Sequence, residues 1–432
     1  MKIGVPKETV EGERRVGLVP ETVGRLVKDG YEVLVEAGAG RGYNLDEDYE
    51  EAGAQVAEGP EEVYGESDIV VKVAPPTEDE VGHMRESQVL VCFLNGPQNP
   101  ELVKKLADAR VTIFSNEFIP RTGAAQSMDA LSSMGSIAGY KCAIIGADTL
   151  GKYVPTLSTA AGSTKAAKVI VLGAAVAGLQ AIATMGRLGA EVYAYDIMPA
   201  TKEQVHSLGA TFIDSADLEE DEQEAEEDEE YEPAPWRKVM EFLGFYSFVR
   251  PPEPPEDGAE ASEDEEDEQQ EGPFSQEKQE EDYKLVREHL QGTDIVITTA
   301  IVPGAPPPTL VTQDMVEEMQ PGSVIVDLAG GNCELTEVGE TIEHDYVSIV
   351  GPVNLPSQMP IHASQLYSRN MKSFVDHIVE DVSDEDSDEK DLQFDLDFED
   401  EIIDSMCIAH DGEIRHDNIR EALSGAAEES EA

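Results

Sequence analysis

The sequence predicts an α/β protein made of two doubly wound, mostly parallel sheets with a cleft between them. Three observations lead there. Short β-branched runs alternate with helical stretches of βαβ length. That alternation stops at a long helical stretch and then starts afresh. A glycine-containing turn joins strand to helix at the head of the second set. A chain of 432 residues has room for both domains and their cores.

In chain order, Ile3-Gly4-Val5 reads as a strand, followed by a helix around Glu21–Lys28 and a strand at Glu32-Val33-Leu34-Val35. Strands follow at 69–73, 88–92 and 111–114. Residues 128–165 read as mostly helical, a connector. The second set begins at Lys168-Val169-Ile170-Val171-Leu172, continues at 191–195, and is completed at 294–298 and 323–327. From Ser348 to Val379 the pattern is one more buried strand and a long helix. The expected division is residues 1–125 plus 340–412 as a discontinuous first domain, 126–165 as connector, 166–330 as second domain and 413–432 as an acidic tail.

Within the second set, residues 217–282 are dominated by Glu, Asp and Pro, a composition that cannot offset chain entropy by burial, so a disordered insert is expected. Inside it lies an aromatic island, Trp236 to Val249. Folding back on its own domain, docking to a partner subunit and contact with a membrane surface all stay open for it.

Charge narrows the partners. There are 91 Asp and Glu against 30 Lys and Arg, a net charge of -61. Such a charge repels nucleic acid and anionic membrane. Acid runs at 217–282 and 380–401 account for some of it, but the amino-terminal region is acidic as well. A very salty cytoplasm, that of a halophile, would screen this self-repulsion, since the Debye length falls to about 3 Å in molar salt. The four cysteines show no paired spacing and the 8 histidines do not cluster, so reduced cytosolic thiols and no metal site are expected. Met1-Lys2-Ile3-Gly4 reads as a strand and not as a signal peptide. The apolar run Val169–Met185 is broken by Gly173-Ala174-Ala175, so a soluble protein is expected.

The strand 168–172, the turn Gly173 to Gly178 and a helix over 179–188 are followed by Asp196, 23 positions beyond Gly173. This is a dinucleotide-binding arrangement, which makes the domains Rossmann-like. Gly173 permits the tight turn and Gly178 close helix–strand packing. Backbone N–H groups at Ala175 and Val176 then face the pyrophosphate at the helix start. Asp196, with Ile197 beside it, would accept the adenosine ribose hydroxyls and repel a 2′-phosphate, selecting NAD over NADP. Ala175 replaces the usual middle glycine.

Gly4-Val5-Pro6-Lys7-Glu8, Arg15-Val16, Pro20, Val23 and Gly30 resemble the amino-terminal signature shared by alanine dehydrogenases and transhydrogenase alpha subunits, with Gly12-Glu13 in place of the usual Asn-Glu. In the dehydrogenases, the resemblance assigns amino-acid chemistry to an Arg in that signature, the second Lys of a KVK segment, a His after Phe-Leu, and an Asp after the late core strand. Here Arg15 remains, but the segments read Lys72-Val73-Ala74, Phe93-Leu94-Asn95 and Gly330-Gly331-Asn332-Cys333. The string Gln126-Ser127-Met128-Asp129-Ala130-Leu131-Ser132-Ser133 after Arg121 is similar to the motif that holds the nicotinamide end of NAD(H) in transhydrogenase alpha subunits. By that resemblance Gln126 bridges two nicotinamides, and Arg121, Asp129 and Ser132 orient the carboxamide and ribose side. Thr298-Thr299-Ala300 with Ile301 next to it, Pro303-Gly304 and Gly330-Gly331-Asn332-Cys333 also look like this family, the last loop being shortened.

The resemblance implies an NAD(H)-binding alpha subunit of a proton-translocating, Re/Si-specific NAD(P) transhydrogenase, its nicotinamide lying in the cleft. Hydride would pass to NADP on an NADP(H)-binding beta subunit. A separate membrane-spanning subunit would carry the proton channel, the alpha chain being a homodimer, cytoplasmic and peripheral to the inner face of the cell membrane. Two rival readings are an alanine dehydrogenase-like oxidoreductase and an NAD-responsive regulatory protein. Lys72 is expected in the domain cleft, while His344, His362 and Cys333 are expected to be structural. The family's mobile loop carries a closing tyrosine, a role that aligns with none of Tyr231, Tyr246 and Tyr283 and stays unassigned here.

Overall fold

The computed structural model describes residues 1–40, 42–214, 276–301, 306–383 and 390–431. These form two units, Met1–Ile137 with Asn354–Ala432, and Ala138–Val353. The aromatic island, Tyr231 and Tyr246 lie outside the described residues. At the end of the acidic stretch the chain is helical from Gln276 to Leu290, so the insert expected to run to 282 gives way to helix earlier.

The first unit is built on one eight-stranded sheet. Its order is Glu413–Ile414, Cys407–His410, Thr112–Ser115, Val89–Cys92, Ile69–Val71, Lys2–Val5, Glu32–Glu36 and Gln55–Ala57. The six amino-terminal strands are parallel. Their interiors are buried Val, Ile, Leu and Phe, as expected of strands covered on both faces. The chain returns at Cys407–His410 to pair antiparallel with Thr112–Ser115. The helix Pro360–Ile378 adds Tyr367, Met371, Phe374 and Ile378 to this core. The expected acidic tail is partly folded: the helix Asp417–Glu431 buries Ile419 against Val103, Leu106 and Ile408.

The second unit has a seven-stranded sheet, ordered Thr211–Phe212, Glu191–Tyr195, Lys168–Leu172, Ile295–Thr298, Val324–Asp327, Val347–Val350 and Thr341–His344. Only the last strand is antiparallel. From Lys168–Leu172 the chain winds outward through Glu191–Tyr195 and Thr211–Phe212, then restarts on the other side at Ile295–Thr298. The strand order therefore reverses beside Lys168–Leu172, the position where open α/β sheets take ligands.

The unit boundary expected near 330–340 falls at Val353. Val347–Val350 pairs in parallel with Val324–Asp327, bringing its hairpin partner with it. A buried apolar strand reads the same in either sheet, so its sequence does not say which sheet it joins. The expected connector is helical only over Ala130–Thr149, and Leu157–Thr159 and Gly162–Thr164 then form an antiparallel hairpin. Among the described residues no helix is long and apolar enough to cross a membrane.

Candidate nucleotide-binding site

The strand Lys168–Leu172 is buried from Val169 onward. The chain leaves it at Gly173 with φ of +98°, a left-handed conformation that favours glycine. The helix Val176–Arg187 follows, and a Cβ added to Gly178 would sit 1.8 Å from the Gly173 carbonyl oxygen. Glycine at 178 is what lets the helix start hard against the turn. Its first N–H groups have no acceptor within the helix, and with the helix dipole they favour an anion. Ala175 is exposed, with φ −74° and ψ −169°, an extended backbone open to any residue. Its methyl strains nothing in the protein itself. Val176, next in line, is half-buried.

Asp196 stands at the end of Glu191–Tyr195. Its Oδ2 accepts from the Ala174 N–H at 2.5 Å and its Oδ1 from the Met198 N–H at 2.9 Å. Burial pushes this carboxyl above its ordinary pKa, the two N–H bonds opposing the rise. A carboxylate offers about four acceptor positions, so Asp196 can hold the turn and still accept ribose hydroxyls. Ile197 packs against the core that includes Ile170 and Tyr195.

On the other side of the reversal, the Thr299 N–H donates to the Leu172 carbonyl at 2.8 Å and the Thr299 hydroxyl to the Gly173 carbonyl at 3.0 Å. Ala300 follows, and Ile301 is 60% exposed. Gly331 lies beside Pro307. Two further residues organise this side: Asn332, which the sequence offers only as a member of the Gly330–Cys333 segment, and Asp327, which ends a core strand. Asp327, fully buried, accepts from the Thr298 and Thr336 hydroxyls and from the N–H groups of Ala329, Gly330 and Cys333. Asn332, also fully buried, bonds the backbone of Ala300 and Pro308. The available signal was an acid ending a parallel strand and an amide in the loop that follows it.

The remaining predicted residues lie in the first unit. A short 3-10 turn, Gln126–Met128, precedes Asp129 and the helix Ala130–Thr149. Asp129 takes the capping role, accepting from the Ser132 N–H at 2.7 Å and the Ser132 hydroxyl at 2.5 Å. The Arg121 Nη1 donates to the Ser132 hydroxyl oxygen at 3.3 Å. Arg121, Ser132 and Asp129 are therefore one hydrogen-bonded chain, while the Gln126 side chain is exposed on the turn between them. The structure gathers these four on one loop of the first unit and the first turn of the helix after it, and the other ten predicted residues in the second.

Residues of the dehydrogenase pattern are otherwise engaged. Arg15 meets Glu13 through two bonds, Nε to Oε1 at 2.8 Å and Nη2 to Oε2 at 2.6 Å, in a buried setting. Asn95 sits at φ +51°, its N–H donating to Glu117 at 2.9 Å. Lys72, expected in a cleft, is fully buried within the first unit, 3.0 Å from Glu80 and 3.6 Å from Glu8. Burial alone would lower its pKa, but the two carboxylates outweigh that and raise it. Cys333 is buried, which pushes its thiol up, and His362 is exposed. His344 meets Glu317 at 3.3 Å on the surface. The Tyr283 hydroxyl donates to the Thr309 carbonyl at 2.9 Å.

The fold and these loops define a Rossmann-like α/β protein of two units, and the chain belongs to the alanine dehydrogenase/PNT family, whose N-terminal domain description matches residues 4–138 and whose C-terminal domain description matches 142–417. Within that family it is 40% identical over 426 residues to an NAD(P) transhydrogenase subunit alpha chain of Rhodospirillum rubrum, covering 96% of this chain and 98% of that one. The crystal structure of a transhydrogenase from Sinorhizobium meliloti is 35% identical with a TM-score of 0.76, covering 96% of this chain and all of that one. An L-alanine dehydrogenase structure, 24% identical with a TM-score of 0.70 and covering 98% and 99%, shares the fold.

Proposed function

We propose that this chain is the NAD(H)-binding alpha subunit of a proton-translocating, Re/Si-specific NAD(P) transhydrogenase. The observation that carries the reading is the bonded set Arg121–Ser132–Asp129 with Gln126 on the turn between them. Oxidising an amino acid needs a cation for the carboxylate and a titratable group for the proton. Arg15 is bound to Glu13, and Ala74 and Asn95 stand where the working Lys and His would be. Hydride transfer between two nicotinamides moves no proton at the reacting carbons and asks only that two rings be held face to face.

The residues around Gly173 suit NAD(H): a glycine-cleared helix start for the pyrophosphate and Asp196 for a ribose without a 2′-phosphate. When bound, that cofactor supplies or accepts the hydride. Gly173, Ala175, Val176 and Gly178 receive the phosphates, Asp196 and Ile197 border the adenosine ribose, and Thr299, Ala300, Ile301 and Gly331 flank the nicotinamide half. Arg121, Asp129 and Ser132 orient the carboxamide and ribose, and Gln126 bridges to the second ring. NADP(H) is held on a partner beta subunit, and proton translocation belongs to a separate membrane-spanning subunit. The alpha chain is a homodimer at the inner face of the membrane. Its charge of -61 suits the salty cytoplasm of a halophile. The test supplies the protein, in molar KCl, with an NAD analogue and either L-alanine or NADPH plus the NADP(H)-binding component. Reduction only with the second supports the reading, and reduction with alanine overturns it.

A further inference from the structure

The Asn332 side chain joins two segments of the second unit. Its Oδ1 accepts from the Ala300 N–H at 2.9 Å, while its Nδ2 donates to the Ala300 carbonyl at 2.9 Å and the Pro308 carbonyl at 2.7 Å. The orientation of the amide is fixed by chemistry, because an N–H needs an acceptor and two carbonyls need donors. Its own carbonyl accepts from the N–H groups of Leu310 and Val311 at 2.7 and 2.9 Å. One bond further on, Thr299 reaches the Gly173 carbonyl. A continuous path of hydrogen bonds and chain thus runs from Asn332 through Ala300 and Thr299 to the glycine turn.

Topology says which half of a dinucleotide this path serves. Asp196 ends Glu191–Tyr195 on one side of Lys168–Leu172, and Thr299 to Ile301 follow Ile295–Thr298 on the other. With the adenosine ribose on Asp196 and the pyrophosphate at the reversal point, the nicotinamide half falls on the Thr299 side.

We propose that Asn332 is a positioning residue for the nicotinamide half of the dinucleotide, holding Thr299-Ala300-Ile301 in the binding shape before the ligand arrives. The inference rests on NAD(H) binding at the Gly173 turn. Preorganisation of this kind raises affinity by removing an ordering cost from the binding step.

The test measures dissociation constants of the full chain for NADH and for ADP-ribose, which lacks the nicotinamide, in wild type, Asn332→Asp and Thr299→Val. Asn332→Asp keeps one acceptor but sets a carboxylate oxygen against two backbone carbonyls. Thr299→Val keeps the shape and loses the hydroxyl. For Asn332→Asp the expected result is NADH binding weakened about ten- to a hundredfold with ADP-ribose binding unchanged, while Thr299→Val, which also loses the bond to the Gly173 turn, should weaken both ligands. Equal loss for both ligands in Asn332→Asp marks a purely structural residue and overturns the proposal, as does no loss for either. A wild type that binds neither ligand sinks the nucleotide reading itself, a distinct outcome.

Discussion

Arg15 and Glu13 form a buried two-bond pair, supported by Asn354, whose Nδ2 donates to Glu13 at 3.1 Å and whose Oδ1 accepts from Arg15 at 3.3 Å. Burial alone would raise the Glu13 carboxyl, but the hydrogen bonds and charge of Arg15 bring it down to about 2. Because the folded-state value is depressed, the stabilisation is complete above the unfolded value of about 4.3 and is lost as pH falls towards 2. Glu13→Gln is expected to cost about 3 kcal/mol at neutral pH and to flatten the acid limb of the stability profile. Denaturant midpoints across that range check it; parallel wild-type and variant profiles contradict it.

Asp196 ties the turn through Ala174, and in the proposed role it also faces the ribose. Asp196→Asn removes the charge while keeping one acceptor. NADH binding, followed by its own fluorescence, should weaken about tenfold or more, and the preference over NADPH should shrink because the repulsion of a 2′-phosphate is gone. A variant that discriminates as sharply as wild type shows that selectivity lies elsewhere.

Gly178→Ala places a methyl carbon 1.8 Å from a backbone oxygen, a contact no rotamer relieves. The helix must move away from the turn, costing about 1–3 kcal/mol or more, and NADH affinity should collapse with it. Unchanged affinity in a folded variant argues against the helix start as the phosphate site.

Lys72 makes a contrasting case. Lys72→Met leaves Glu8 and Glu80 buried without their cation, at a cost of about 3–5 kcal/mol. NADH affinity measured well below the melting point should match wild type. A selective loss of affinity restores Lys72 to the site.

The central strands of both sheets are legible because they are β-branched runs bounded by turns, whereas the short outer strands Gln55–Ala57, Thr211–Phe212, Cys407–His410 and Glu413–Ile414 carry no such signal. The glycine turn with Asp196 is legible from its spacing. The hairpin Thr341–His344 and Val347–Val350 was assigned to the wrong unit because local pattern carries no information on sheet membership. The hairpin Leu157–Thr164 has Ser and Thr where an apolar alternation would have announced it. Asn332 and Asp327 stand in the sequence as members of a family-like segment and a core strand, but what they bond does not. Their roles consist of bonds to backbone groups, and no residue type at the far end marks those in the sequence. Lys72 was misread because a buried lysine depends on Glu8 and Glu80, and pairing across 64 positions is visible only in the fold.

Hydride transfer at the Gln126 loop is measured by following NADPH-dependent reduction of an NAD analogue when this chain is mixed with the NADP(H)-binding component, in wild type, Gln126→Ala and Arg121→Ala. Transfer is expected in wild type and a loss of about a hundredfold in the variants, with NADH binding largely retained, since a misplaced ring costs rate before affinity. NADH bound normally by wild type with no transfer, or transfer indifferent to both substitutions, would contradict the proposed function.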